Sequence, residues 1–217
     1  KDIQCNFFKC KNKYEMKKYA KERGDIMYIQ NVFHSNTGIS QYRIEESNRS
    51  DAKIYTLYGQ NELYEDLYGV PGAMSDRKQI KVDGMGPGAI AKEGDLLFST
   101  ISGEATIVSA EHDGYVFTQN YARMEPMSRL VDRKYMAYLI NENQSIKRQF
   151  KQNLQGSQVI RYSLKLLKEI ALPELPSIEI QRVIGDIYFK QLLLRSLRQR
   201  VAENTYRLSI AMLQGVE

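Results

Sequence analysis

Side chains able to bind nucleic acid are concentrated in two polar, irregular stretches, residues 33–51 and 68–90. The second stretch is rich in glycine, a composition more typical of functional loops than of packed elements. Guanidinium and amide groups can pair with base edges, and lysine, arginine and hydroxyl groups bind phosphates. The candidate contacts are Tyr42, Arg43, Asn48, Arg49, Arg77, Lys78 and Lys81. Solvated loop surface is the alternative role for each of them.

Motifs for catalysis or cofactor binding are missing from the sequence. It contains no G-x-x-x-x-G-K-[ST], no G-x-G-x-x-G opening a helix and no H-E-x-x-H. His34 and His112 are the only histidines, and nothing supports a nucleophilic triad around them. Glu93 and Asp95 beside Lys92 leave a metal-dependent nuclease as an alternative, although Asp95 also fits a turn before a strand. The sequence therefore predicts no catalytic residue and no cofactor.

The cysteines and the hydropathy indicate where the chain is expected to reside. Cys5 and Cys10 are the only cysteines. A structural zinc usually has four nitrogen or sulfur ligands, so this pair predicts no metal site. Reduced thiols are the default in the cytoplasm. The first ten residues are polar and no apolar run of about 18 residues occurs, so we expect a cytoplasmic protein without a signal peptide or a membrane helix.

The order of the elements predicts an α+β fold. Short strands are expected at 26–32, 53–58 and repeatedly within 90–126, with a short helix at 61–68. From 132 to about 154 the apolar period becomes helical, and a short strand is expected at 158–163. A basic N-terminal segment and the basic region 128–170 flank an acidic middle, which is compatible with a polyanion-binding face. We divide the chain into a domain of residues 1–172 and a helical element of residues 173–217.

The stretch from Ser177 to Leu213 predicts one long helix, with Ser177 as its N-cap. At about 1.5 Å per residue it would be roughly 55 Å long. One heptad position is aliphatic throughout, and Ile184 starts a mixed companion position that continues with Gln191, Arg198 and Thr205. The predicted contact residues are Ile180, Ile184, Ile187, Leu194, Val201 and Leu208. Such a stripe exceeds what one domain of this size can cover, so we expect it to dock on another long helix.

Six short motifs, in this order, resemble those of the specificity subunits of type I restriction–modification systems. They occupy residues 94–99, 102–103, 119–123, 135–139, 156–163 and 172–184. The last is a hydrophobic-Pro-x-Leu-Pro junction that runs through Gln181 and Ile184 into the long helix. The resemblance depends on the order and spacing of the motifs, since none is specific alone.

The resemblance implies a non-catalytic subunit that binds double-stranded DNA and holds methyltransferase and restriction subunits on it. In that family each target recognition domain reads one half of a split target, and antiparallel helices set the gap. This chain has one such domain and one long helix, which implies a homodimer on an interrupted palindrome. The alternative is an interaction or regulatory protein of the same fold. It would pair with methyltransferases or with full-length specificity subunits without reading DNA.

Overall fold

The computed structural model describes residues 26–44, 47–69, 77–84, 86–154 and 161–215. The basic N-terminal segment, with Cys5 and Cys10, lies outside the described residues. Within them the chain is a mixture of short strands and helices followed by one long helix, so the predicted α+β class is confirmed. None of the helices in these ranges is both long enough and apolar enough to span a membrane.

Seven strands form two sheets within the described ranges. They are β1 Phe33–Thr37, β2 Lys53–Tyr58, β3 Gln79–Val82, β4 Leu96–Ser99, β5 Ala105–Ile107, β6 Val116–Phe117 and β7 Tyr121–Pro126. The larger sheet has the order β1-β7-β4-β5 with antiparallel neighbours. The smaller has the order β3-β2-β6, in which β2 is antiparallel to β3 and parallel to β6.

The helices cover the larger sheet and complete the main core. They are α1 Gln60–Tyr68, α2 Arg133–Glu142, α3 Gln144–Leu154, α4 Leu164–Lys168 and α5 Ile178–Gln214. Every residue of β4 is buried. Leu96 and Phe98 face the main core, where Phe98 stacks on Phe150, while Leu97 faces a second cluster around Tyr58. Burial of both faces explains why this strand reads as an uninterrupted apolar run.

Two predicted elements differ from the observed ones because a side chain satisfies the backbone locally. The strand expected at 26–32 is a single bridge at Tyr28 followed by a 3-10 turn, and Asn31 accepts a hydrogen bond from the Tyr28 N–H at 2.8 Å. The helix expected from 132 to 154 is broken at Asn143, whose side chain accepts from Ser145 and Ile146 and so caps α3. The strand expected at 158–163 falls partly outside the described residues, and residues 161–163 are not extended in a sheet.

The long helix α5 begins at the predicted cap and docks on the domain through its first four turns. The side chain of Gln181 is buried, accepts from the Asp132 N–H at 3.0 Å and donates to the carbonyls of Leu130 and Pro176. Gly185 lies against α2, where a Cβ would stand 2.7 Å from Lys134 Cβ. These contacts make α5 and α2 one packed unit.

A methyl group at Gly185 should therefore destabilise the fold, although alanine favours an isolated helix by about 1 kcal/mol over glycine. The added Cβ would also lie 2.8 Å from the Tyr135 backbone nitrogen, which has no flexible end to move aside. We expect Gly185→Ala to lower the free energy of unfolding by about 1–3 kcal/mol. Ser196→Ala on the same helix is the control and should change it by less than about 0.5 kcal/mol. Chemical denaturation measures both, and equal stabilities would contradict this close packing.

The aliphatic stripe of α5 is left uncovered by the chain's own domain. Ile180, Ile187, Leu194, Val201 and Leu208 are between 38% and 66% exposed. At about 100° per residue they lie on the side of α5 opposite Gln181 and Gly185.

Among the predicted contact residues of the helix, Ile184 is the one that also packs on the chain's own domain. Ile184 packs against the main core of its own domain, because it lies on the docked side of the helix. Val183 and Leu197, three residues after Ile180 and Leu194, are the exposed companions, and sequence reasoning missed them. We call Ile180, Val183, Ile187, Leu194, Leu197, Val201 and Leu208 the seam.

Candidate nucleic-acid interface

A cleft of about 370 Å³ opens where the two sheets meet, at the ends of β2 and β4. The end of β2, the first turn of α1, the turn after β4 and the segment between β6 and β7 form its walls. Its polar lining residues are Gln41, Gln60, Asn61, Glu62, Arg77, Lys78, Thr118 and Asn120. Ile101, at the tip of the turn after β4, is half exposed and adds an apolar edge. Amides, cations and a small apolar contact are the groups that read base pairs in a DNA groove.

Two of the amides in this cleft are held in fixed orientations. Gln60 accepts a hydrogen bond from Ser99 Oγ at 3.3 Å, and its Nε2 is buried without a partner within the described part of the chain. Asn120 accepts from the Arg161 guanidinium at 2.8 Å through Oδ1, which directs its amide nitrogen away from that contact. Sequence reasoning missed Gln41 and Gln60, since isolated glutamines at element boundaries carry no motif. Asn120 was noted only as part of the motif at residues 119–123, without a predicted contact.

Arg77 and Lys78 are the predicted contacts that line the cleft. The guanidinium of Arg77 donates to Glu65 at 2.9 Å and to the Tyr115 hydroxyl, and its side chain keeps 35% exposure. The Lys78 carbonyl accepts from the Leu57 N–H at 2.8 Å, which fixes the backbone, while the lysine is exposed. Both cations therefore stand on a supported backbone at the mouth of the cleft.

The other predicted contacts lie around the cleft or away from it. Tyr42 is 94% exposed in the 3-10 turn that also carries Gln41, whereas the side chain of Arg43 lies outside what the structure describes. Asn48 and Arg49 are exposed near the far end of the β2–β3 pair, where Ser47 donates to the Lys81 carbonyl. The two ends of β3 are three residue steps apart, which is about 10 Å. The structure thus brings Arg77, Lys78 and the Tyr42 turn together, and leaves Asn48, Arg49 and Lys81 at the other end of the β2–β3 pair.

Behind Arg77 lies a buried network of ionisable groups. His112 is fully buried, with Nδ1 2.7 Å from Asp66 and Nε2 3.0 Å from Glu65. Asp66 also accepts from the Tyr58 hydroxyl at 2.6 Å and from the Ser109 N–H. Burial alone would lower the pKa of His112, but the hydrogen bonds and charges of Asp66 and Glu65 raise it above its usual value. This network could not be predicted from local sequence patterns, because its partners are 46 and 47 residues apart.

This network has its own positive charges and is not a metal centre. Glu65, Glu111 and His112 bring ligand-type atoms within 4.8 Å of one another. However, both ring nitrogens of His112 face carboxylates, and the Arg77 guanidinium already neutralises Glu65. A cation added there would displace these ion pairs.

The turn that carries the carboxylates of the nuclease alternative is held by structural contacts. Asp95 accepts from the Lys92 N–H at 3.0 Å and forms an ion pair with Arg123 at 2.9 Å. The Glu93 N–H donates to Asp113, which ties the same turn to a neighbouring loop. Asp95 therefore holds the turn that leads into β4, and its charge is already compensated.

Comparison with known proteins identifies the fold and the family. Residues 5–193 match the family described as Type I restriction modification DNA specificity domain. Comparison with curated protein sequences gave no significant match. The fold is similar to the crystal structure of the HsdS subunit from Thermoanaerobacter tengcongensis, with TM-score 0.55 and 15% identity over 87% of this chain and 47% of that chain.

A second structure, from work on complex assembly and conformational transition of the type I R-M system, has TM-score 0.58 and 12% identity. It covers 89% of this chain and 48% of that chain. The chain thus spans about half the length of the solved structures that it resembles. At these identities the structures establish the fold, and the sequence match establishes the family. The chain belongs to the type I restriction modification DNA specificity domain family.

Proposed function

We propose that this chain is a non-catalytic DNA specificity subunit that binds one half of a bipartite target in the cytoplasm and docks methyltransferase and restriction subunits. Residues 1–172 form the DNA-reading domain, and residues 173–217 form the helix for dimerisation and spacing. The observation that carries the proposal is the cleft at the meeting of the two sheets. Cations, oriented amides and an exposed Ile101 converge there in a member of a DNA specificity family.

Within the cleft the side chains divide into two roles. Arg77 and Lys78 bind backbone phosphates, because they are cationic and stand at the mouth. Asn120 reads base edges, because Arg161 holds its Oδ1 and leaves its amide nitrogen for a base. Gln60, whose buried Nε2 lacks a protein partner in the described part of the chain, is the second expected reader. Ile101 provides the apolar contact that a thymine methyl group favours.

The seam supports assembly of two copies through α5. A twofold axis at Leu194 would pair Ile180 with Leu208 and Ile187 with Val201 in antiparallel helices. Because the seam lies opposite the docked side of α5, the two domains would project outward without a clash. A homodimer of this kind would read an interrupted palindrome, with one half for each domain.

A second candidate function is an interaction protein that binds its partners through α5 and does not read DNA. The exposed second half of the helix favours it, since every residue from Leu197 to Gln214 is exposed. The two candidates differ in whether the isolated chain selects a DNA sequence.

Selection of bound duplexes from a random pool tests the proposed function. The wild-type chain should enrich two half-sites in inverted orientation with a fixed gap. Gln60→Ala combined with Asn120→Ala should relax the preference within each half-site, since each lost base contact is worth about 1–3 kcal/mol of discrimination. Sequencing of the enriched pools measures both results.

Asn153→Ala on α3, outside the cleft, is the matched amide control and should enrich the wild-type sequence. If the wild-type chain enriches no sequence, the second candidate function, an interaction protein that does not read DNA, is favoured. An unchanged preference in the double variant would place the base-reading residues elsewhere.

A further inference from the structure

The position of the Arg77 guanidinium is tied to a histidine that lies wholly inside the protein. A single oxygen, Oε2 of Glu65, accepts from Arg77 at 2.9 Å and lies 3.0 Å from His112 Nε2. Glu65 is nearly buried, so the two cations share a carboxylate that has little access to water. A change in the charge of His112 therefore changes the strength of the Arg77 ion pair, because both groups contact Oε2 of Glu65.

The surroundings of His112 require both of its ring nitrogens to donate. A neutral imidazole donates from one nitrogen and presents a lone pair on the other. Here the second nitrogen would then face a carboxylate oxygen at 2.7 or 3.0 Å, which is repulsive. The shorter contact, to Asp66, favours keeping the proton on Nδ1, so Glu65 is the group that would lose its donor.

The charged and titratable groups around His112 come from each element packed on it. They are Glu65 and Asp66 of α1, Tyr58 of β2, Glu111 and Tyr115 of its own segment, and Arg77 beyond Glu65. Three carboxylates thus face two cations when His112 is protonated. Loss of that proton leaves Arg77 as the only cation in the group.

We propose that His112 is a positioning residue for DNA binding, acting through Glu65 on Arg77. This inference rests on the proposed function. With the ring protonated, Glu65 divides its charge between two cations, and Arg77 can turn its exposed N–H groups to a phosphate in the cleft. With the ring neutral, the whole charge of Glu65 falls on Arg77, and a phosphate must compete with it. DNA affinity should therefore be higher below the pH at which the ring loses its proton.

Fluorescence anisotropy with one fixed duplex, at constant ionic strength between about pH 6 and about pH 9, tests this role. Wild-type affinity should fall by about three- to tenfold with rising pH, since a charge-assisted hydrogen bond is roughly twice as strong as a neutral one and the neutral ring leaves Glu65 to Arg77 alone. His112→Gln and Arg77→Ala should each bind with an affinity that does not follow pH. His34, the other histidine, is exposed on β1, and His34→Gln should keep the wild-type dependence of affinity on pH. Lys78→Ala should bind more weakly but keep the same dependence on pH.

Each departure from these results has a distinct meaning. Wild-type affinity that does not change with pH, or an Arg77→Ala profile that still follows pH, would overturn the positioning role. Absence of wild-type binding at every pH would overturn the proposed function itself. If His112→Gln does not fold, as judged by its thermal transition, Glu65→Gln breaks the same link and should also remove the pH dependence. A Glu65→Gln profile identical to the wild type would overturn the role as well.

Discussion

Replacement of Ile187 and Leu194 by aspartate is expected to turn the proposed dimer into a monomer. Each side chain would contribute about 1.5–3 kcal/mol when buried in the seam. A twofold dimer loses each site twice, so the pair removes at least about 6 kcal/mol. This corresponds to more than about 10,000-fold in the dissociation constant. Sedimentation velocity at tens of micromolar measures the change.

Tyr206→Asp is the matched control for this experiment. Tyr206 is also an exposed hydrophobic residue of α5, but it lies about 140° around the helix from Val201, outside the seam. Its replacement should leave the dimer intact. A monomeric wild-type chain, or a double variant that still sediments as a dimer, would contradict the seam as the assembly surface. The monomer should also bind an interrupted palindrome at least about a hundredfold more weakly, because its two half-sites are no longer engaged together.

Removal of Arg77 and Lys78 together should have the largest effect on DNA binding itself. Each lost phosphate contact lowers the slope of log K against log salt by about 0.9, so the double alanine variant should lose about 1.8. Its affinity at moderate salt should fall by about ten- to a hundredfold, for all sequences alike. Titration of a labelled duplex at several salt concentrations measures both quantities.

The control for this pair removes the same charge elsewhere. Lys92 and Lys165 are exposed cations outside the cleft, and their double alanine variant should keep nearly the wild-type salt slope. Because Arg77 also compensates Glu65, the thermal transition of the variant must be compared with that of the wild type. Equal losses in the two double variants would indicate general electrostatic attraction without a site in the cleft.

The elements that could be predicted from the sequence are those that neighbouring residues in the chain determine. The cap at Ser177, the absence of proline after Pro176 and the heptad spacing predicted α5, and the fold class followed from the order of short elements. The docked side of α5 could not be predicted, because Ile184 and Val183 are equally aliphatic. Only the position of α2, fixed by contacts such as Gly185 on Lys134, decides which of them is covered.

The cleft was predictable only in part, for a related reason. Arg77 and Lys78 carried a signal by themselves, since cations in a glycine-rich stretch suggest a binding loop. Gln60 and Asn120 did not, because they line one cleft only when the turn after β4 lies beside both the start of α1 and the segment between β6 and β7. The β2–β6 pairing that forms this corner is parallel and joins distant segments, which a local pattern does not specify.

The docking of α5 on the domain at Gly185 would set the distance between the two domains of the proposed dimer. With the twofold axis at Leu194, the two Gly185 positions would stand about 27 Å apart along the helix pair, at about 1.5 Å per residue. That equals the length of about eight base pairs, at about 3.4 Å for each. One heptad added between Gly185 and Leu194 would lengthen this distance by about 21 Å, or about six base pairs, without touching a base-reading residue. The gap between the two half-sites could thus change through the length of the helix, while the bases that the domain reads stay the same.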